Sequence, residues 1–539
     1  QSVGVNGGFD SDEAAATIEE LGIRWVRSAL RNQGERDRLN DLHSRLGVQA
    51  CALINPFDTL PGLGDADWME LNGTRYELED GNRETGSYTV AGSYLTDTAK
   101  GSVCGLGAID FGGASSATIR LRVEDAEDYG YIQLWVTHYR RAQDGVVAGS
   151  TGSIVSSDGA WQTYTIDFDD PVHGTKDAYL MFHPRKGLDH AAIDPWLDGL
   201  AADCGPAIGA LEGPNEYDNT NVPEWASELR AFQLAFYQAV KNHPSPHINS
   251  TPVIAPSVLG DAGHEELGDL TDRCDIGNMH PYTGGLHPEH RHQHKMEVNL
   301  PMVGAAPIWV TEFGWHTAEG YRPNQAWFWN PIPESVTDGY IPRGYLTHFM
   351  RRYDDLPWVE KSFIFRLNDL NDPTGDTDIT AHYGIVREDF SPKPGAVALM
   401  NLLDLCREQQ PASLGSLRYA LDGMPADGEH LALQRGDGSW LLLLWRAHED
   451  VDKRAYLEGA SLADATQPAA AVNVRVHLAE PVSAWASHRP HLSLAAQRQG
   501  PAAEAIDIAV DGRVTVLELL TTVDDQPPAA PSNLRVRLK

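Results

Sequence analysis

Cysteine is scarce. The 539 residues hold five, at positions 51, 104, 204, 274 and 406. No two form a C-x-x-C pair, so a metal cluster or a dense disulfide framework is excluded. Positive charge is also short: 42 Lys and Arg stand against 76 Asp and Glu, a formal net charge of -34. Nucleic acid and anionic membrane surfaces repel such a chain. Long apolar runs are absent as well. The stretch Leu441 to Trp445 is typical, and a membrane helix needs about 20 such residues. No internal repeat is visible. What is present in quantity is a core-forming complement of 42% hydrophobic residues, with Gly 50 and Pro 33 for loops. At roughly 150 residues per domain, three to four domains are expected.

The order of elements is informative. SVGVNGG (2–8), DEAAATIEELG (12–22), RWVRSAL (24–30), ERDRLNDLHSRLG (35–47) and VQACALINP (48–56) alternate strand and amphipathic helix. The strands are continuous apolar runs, as in a parallel sheet covered on both faces. The rhythm then breaks. Between about 60 and 190 only turn-bounded strand candidates occur, such as RYELEDGN (75–82), ATIRLRVE (117–124) and WQTYTIDF (161–168). Their spacing predicts an antiparallel domain set into a loop. The βα series resumes with AIGALEGPNE (207–216), TPVIAPS (251–257), CDIGNMHPY (274–282), APIWVTEFGW (306–315) and EKSFIFRLND (360–369). Eight strands are the number a (β/α)₈ barrel needs.

The predicted fold is therefore α/β: a TIM barrel from 1–60 and 190–410, interrupted by a β jelly roll at 61–189 and followed by a β-sandwich at 411–525. Both ends read as cut. The C-terminal QPPAAPSNLRVRLK (526–539) resembles a linker and the start of a fibronectin type III domain. A fragment of a larger, secreted, modular protein is expected.

A barrel works at the C-terminal ends of its strands. Glu216 closes the fourth strand segment in EGPNEYD, and Glu312 closes the seventh in WVTEFGW. Two carboxyls facing across a cleft are the apparatus of glycoside hydrolysis: one protonates the departing oxygen, the other attacks carbon or activates water. Glu212, four residues earlier, is a rival acid but sits deeper in the strand and reads as structural.

Asn-Glu at strand four and Thr-Glu-Phe-Gly at strand seven resemble the retaining glycoside hydrolases of clan A. The likeness spans about 1–60 and 190–410. It implies Glu216 as acid/base and Glu312 as nucleophile, with no cofactor for catalysis. Arg27 at the end of strand two, His280 and Tyr282 in NMHPY, and the exit HYGIVREDFSPKPGA (382–396) match further clan features. Asn215 is expected to hold a substrate hydroxyl, Arg27 and Tyr282 to keep Glu312 ionised, and His280 to stand at the site. Trp315, Trp327 and Trp329 in the loop after strand seven are expected to stack on sugar rings. EGPNEYD departs from the commoner Asn-Glu-Pro form, which leaves the substrate open among β-glucan, hemicellulose and exopolysaccharide. The insertion resembles a family 6 carbohydrate-binding module, which implies structural calcium near Glu77 and Glu79, with Asp194 either a further ligand or the start of a barrel helix. The partner expected is a polysaccharide or oligosaccharide, with no nucleic acid and no membrane insertion. A non-catalytic carbohydrate-binding protein on a barrel scaffold is the alternative, against which the presence of both Glu216 and Glu312 argues.

Overall fold

The computed structural model describes residues 2–520 apart from 8–10, 55, 57–63, 78–82, 86–101, 124–128, 139–140, 151–160, 185–187, 220–223, 322–329, 372–378 and 408–414. Glu79, Trp327, Trp329 and the 526–539 tail lie outside the described residues, as do the side chains of many positions between 64 and 187, Glu77 among them.

Eight strands alternate with eight helices. They are β1 (Ser2–Asn6), α1 (Asp12–Glu20), β2 (Trp25–Ser28), α2 (Gln33–Leu46), β3 (Gln49–Leu53), α3 (Ile193–Asp203), β4 (Ile208–Glu212) and α4 (Trp225–Asn242). Then come β5 (Val253–Ile254), α5 (Asp261–Leu267), β6 (Gly277–Met279), α6 (His292–Glu297), β7 (Ile308–Phe313), α7 (Glu334–Phe349), β8 (Val359–Phe365) and α8 (Pro394–Cys406). All pairings are parallel, in the order β5-β4-β3-β2-β1-β8-β7-β6. A parallel bridge from Ile254 to Ile276 joins the two ends into a closed barrel. Local signals set the helix ends. Asn32 caps α2 by accepting from the Glu35 N–H, and Gly47 closes it at φ 70°. The segment after α7 turns into a two-stranded ribbon, Arg352–Tyr353 with Leu356–Pro357, because Asp354 and Asp355 both take positive φ as a tight hairpin turn requires.

Between β3 and α3 lies the β insertion, which among the described residues shows nine antiparallel strands from Gly64–Leu71 to Thr175–Pro184. Its buried residues recur with period two, at Met69 and Leu71, Ile109 and Phe111, Ala117 and Ile119, and Ile166 and Phe168.

After α8 the chain forms a six-stranded antiparallel sheet: Tyr419–Asp422, Gly428–Gln434, Trp440–Arg446, Val472–Arg489, Ser493–Val510 and Thr515–Leu520. The uninterrupted run WLLLLW is explained by burial on both faces. Leu441, Leu443 and Trp445 pack on Leu346 of α7 and on Leu402 and Leu405 of α8. Leu442 and Leu444 pack on the sheet's other core with Val474, Ile506 and Leu517. Helix α7 lies between barrel and sheet and is buried nearly all round, so it shows no polar face.

Candidate active site

The barrel interior changes character within one step of each strand. A lower layer of Trp25, Cys51, Ala210, Ile254, Ile276, Trp309 and Phe363 is apolar. Inward-facing residues repeat every second position. Two residues further along, toward the C-terminal ends, stand Asn6, Arg27, Glu212, Asn278 and Thr311, all buried. Glu312, next in sequence to Thr311, also reaches this layer. The register of β7 against β8 shifts between Val310 and Phe313. That irregularity re-aims the strand, as bulges near sites do.

Arg27 organises the layer. Its Nε and Nη2 donate to Glu212 at 2.6 and 2.8 Å, Nη1 to Asn6 Oδ1 at 3.0 Å and Glu312 Oε1 at 2.5 Å, and Nη2 also to Asn215 Oδ1 at 2.7 Å. All five donors of the guanidinium are engaged. Burial disfavours its charge, but Glu212 and Glu312 outweigh that and hold the Arg27 pKa well above its usual value. Cys51 Sγ adds a weak donor to Glu212 at 3.4 Å. Glu212, fully buried, is thus the counter-ion and anchor of Arg27, in keeping with the structural role read for it.

Glu312 accepts from Tyr282 Oη at 2.8 Å as well as from Arg27. Burial alone would raise its pKa, but His280, Arg27 and the Tyr282 hydroxyl together lower it. Glu216 does not close β4, which ends at Glu212. It stands four residues further on, at φ 46°, a left-handed conformation that a non-glycine residue adopts at a cost of order 1–3 kcal/mol. Its N–H donates to Ser257 Oγ at 3.0 Å. Its carboxylate meets His280 Nδ1 at 2.6 Å.

The histidine's other nitrogen, Nε2, is 2.9 Å from Thr311 Oγ1. That hydroxyl has one proton, and Asn278 Oδ1 lies 2.6 Å from it with Glu212 Oε1 at 3.1 Å. The hydroxyl oxygen therefore accepts from His280 Nε2–H, and Nδ1 and Glu216 share the remaining proton. Burial lowers the His280 pKa, but the charges of Glu312 and Glu216 reverse this and raise it. Ligating atoms of Glu216, His280 and Glu312 all lie within 4.8 Å of one another.

Asn215 is oriented by its neighbours. Only its oxygen can face the Arg27 donor, and Ser257 Oγ donates to that same atom at 3.2 Å, which turns the amide NH₂ away from Arg27. Trp315 behaves otherwise than expected. It is 7% exposed, donates Nε1 to Thr283 Oγ1 and to Leu286 O, and packs on Phe313 and Tyr340. It belongs to the core behind the mouth, because its indole N–H finds partners there and no open face remains for a sugar. Asp194 lies exposed in the first turn of α3, where its charge suits the helix N-terminus.

Sequence reasoning missed Asn6, Asn278 and Thr311, polar residues inside apolar strands, whose inward phase was the available signal. It also missed Tyr383. That ring stands edge-on to Tyr282 at 6.0 Å and packs on Phe365 at 5.5 Å. Burial and the neighbouring Glu312 raise its pKa well above normal.

No family model matches the chain, and no curated protein does. Among solved structures, the chain is similar to a family 39 glycoside hydrolase from Bacteroides cellulosilyticus WH2, with 10% identity over 96% of this chain and 81% of that one, TM-score 0.49. A putative β-galactosidase from Bacteroides fragilis shows 9% identity over 81% and 75%, TM-score 0.29. A β-1,3-glucanosyltransferase from Rhizomucor miehei shows 15% identity over 38% and 70%, TM-score 0.26.

Proposed function

We propose that the chain is a retaining glycoside hydrolase that cleaves a polysaccharide by double displacement, with Glu312 as nucleophile and Glu216 as acid/base. The observation that carries this is that one carboxylate oxygen of Glu216 and one of Glu312 lie within 4.8 Å of each other. Retaining enzymes hold the pair about 5–5.5 Å apart, whereas inverting ones leave about 6.5–9.5 Å for a water. Glu312 is the group whose charge is stabilised, by Arg27 and Tyr282, as a nucleophile requires. Glu216 is hydrogen-bonded to His280 Nδ1 at 2.6 Å, a contact suited to a group that gives and regains a proton.

In this reading a lone pair of Glu312 attacks the anomeric carbon while the bond to the leaving oxygen breaks and that oxygen takes the Glu216 proton. Water then enters, gives a proton back to Glu216, and its oxygen displaces Glu312 from the sugar. A polysaccharide too large to be imported is cleaved outside the cell, so secretion belongs to the same proposal. Structural calcium near Glu77 and Glu79 is a separate proposal, tested by elemental analysis and by melting with and without chelator.

The deciding experiment takes proton NMR of the first product released from aryl glycosides and β-glucan or hemicellulose oligomers. Retention is expected, and an inverted anomer refutes double displacement. Glu312→Gln should lose nearly all turnover. Glu216→Gln should still form the glycosyl-enzyme from substrates with good leaving groups, which need no proton.

A further inference from the structure

The loop between β6 and α6 carries His280 and Tyr282, yet it continues through Gly284 (φ 61°) and Gly285 (φ 83°). Two such glycines give a backbone little rigidity of its own. The barrel supplies part of its support: Trp315 Nε1 binds Thr283 and Leu286, and Lys295 Nζ donates to the Tyr282 carbonyl. The rest comes from the C-terminal domain, from Trp445 of its strand Trp440–Arg446 and from the connection to Val472–Arg489, which holds the short helix Lys453–Leu457. Lys453 Nζ donates to Gly284 O at 2.8 Å, two residues from Tyr282. Glu449 Oε2 accepts from the His287 N–H at 3.3 Å. Trp445 Nε1 donates to Glu289 Oε1 at 2.8 Å, and Arg343 of α7 binds both oxygens of the same carboxylate.

A second line runs through the loop after β7. Tyr456, 1% exposed, donates its hydroxyl to the carbonyls of Glu319 (3.2 Å) and Tyr321 (2.5 Å). The Tyr321 ring stands on His316, and His316 packs on Tyr383, which stands edge-on to Tyr282. Both lines end at the phenol that holds Glu312. The segment that carries Glu449, Lys453 and Tyr456 is itself firmly built. Asp450 O accepts from Gln467 N–H, Asp452 N–H donates to Ala465 O, and the Asp452 side chain caps the turn at Ala455.

We infer that the helical connection Glu449–Tyr456 of the C-terminal domain is a working part of the active site, and that Lys453 and Tyr456 are positioning residues that hold Tyr282 against Glu312. The inference rests on the glycosidase reading for its kinetic consequence but not for its structural one. Apolar packing on α7 and α8 is enough to dock the sheet on the barrel; the hydrogen bonds sent to a loop two residues from the site are additional to it.

The test compares full-length Lys453→Met, Tyr456→Phe and their combination with wild type. Lys453→Arg is the conservative rescue. Arg475→Gln, which breaks an exposed pair on the C-terminal sheet, is the control. Amide exchange of the segment from His280 to His292 is measured first, since it needs no substrate. It should quicken in Lys453→Met and Tyr456→Phe, and stay at the wild-type rate in Arg475→Gln. On the aryl glycoside that wild type hydrolyses, kcat should fall about tenfold with a smaller change in KM, since sub-ångström misplacement acts on the reacting geometry. Lys453→Arg should recover most of it. Unchanged exchange and unchanged kcat in both single variants overturn the inference, even if Tm falls. An active Glu312→Gln would overturn the assignment of the catalytic pair instead, leaving the exchange result to decide the role of the connection. If the combined variant fails to fold, the Tyr456→Phe change alone, which removes one oxygen, carries the measurement.

Discussion

Arg27 decides most at the residue scale. It binds two buried carboxylates at once, and a lysine has neither the planar fork nor the reach to satisfy both. Arg27→Lys should therefore lower turnover at least tenfold. The weakened positive field lets the Glu312 pKa rise, so the acid limb of the kcat/KM profile should move to higher pH, which a pH series on one substrate reads directly. A second residue effect concerns stability. His292 and His348 stack at 4.8 Å inside the protein, and His348 binds Ser362 Oγ at 2.7 Å. Burial lowers both pKa values, that of His348 to about 3. Unfolded, each takes a proton near 6.5. Below about 6.5, and down to about 3 for His348, the unfolded state binds more protons, so stability falls as pH falls, by up to ~1.4 kcal/mol per unit for each histidine. In urea titrations at stepped pH, His348→Gln should flatten that slope by about one proton.

At the scale of elements, the strands matter through which residues they turn inward. Gly4 in β1 faces the barrel axis, where a Cβ would lie 2.4 Å from the Phe363 ring. Backbone strain is not the issue; the ring fills the space. Gly4→Ala should cost about 1–3 kcal/mol by overpacking, visible as a lower Tm. Strand β7 is the more informative case. Its pattern IWVTEF reads as a continuous buried strand, and simple alternation would send Thr311 and Glu312 to opposite faces. The shift of register between Val310 and Phe313 lets both serve the mouth while Phe313 turns to Tyr345 and His348 of α7. Thr311→Val keeps the shape but removes the oxygen that accepts from His280. Turnover should fall, with protein stability lowered by about 1–3 kcal/mol for the orphaned donor.

For the whole molecule, the packing of the sheet on α7 and α8 predicts dependence rather than modularity. Leu346, Leu402 and Leu405 are buried by Leu441, Leu443 and Trp445. A chain ending at Cys406 would expose that apolar surface and leave the buried Arg343 without its bonds to Gly512 and His448. Such a chain should aggregate, as light scattering or size-exclusion chromatography will report. The same logic makes Arg343→Met costly, by about 3–5 kcal/mol, since Glu289 would remain buried with one partner fewer.

The alternation of short apolar runs with amphipathic helices was enough to specify a parallel barrel and to place the β insertion between its third strand and third helix. Those features follow from local periodicity, which each segment carries by itself. The glutamates at 216 and 312 stood out because they lie near the ends of strand-like segments, Glu216 four residues past the end of β4 and Glu312 one residue before the end of β7. Three things were decided only by tertiary structure. Whether Trp315 faces sugar or core depends on Thr283 and Leu286, some thirty residues away in sequence. Whether Glu312 faces the barrel axis depends on how β7 slips against β8. What the buried Glu212 anchors depends on Arg27, 185 residues away, whose guanidinium claims both of its oxygens. A strand's periodicity states which residues share a face. It does not state what stands opposite, and the chemistry of a charged side chain is set by what stands opposite.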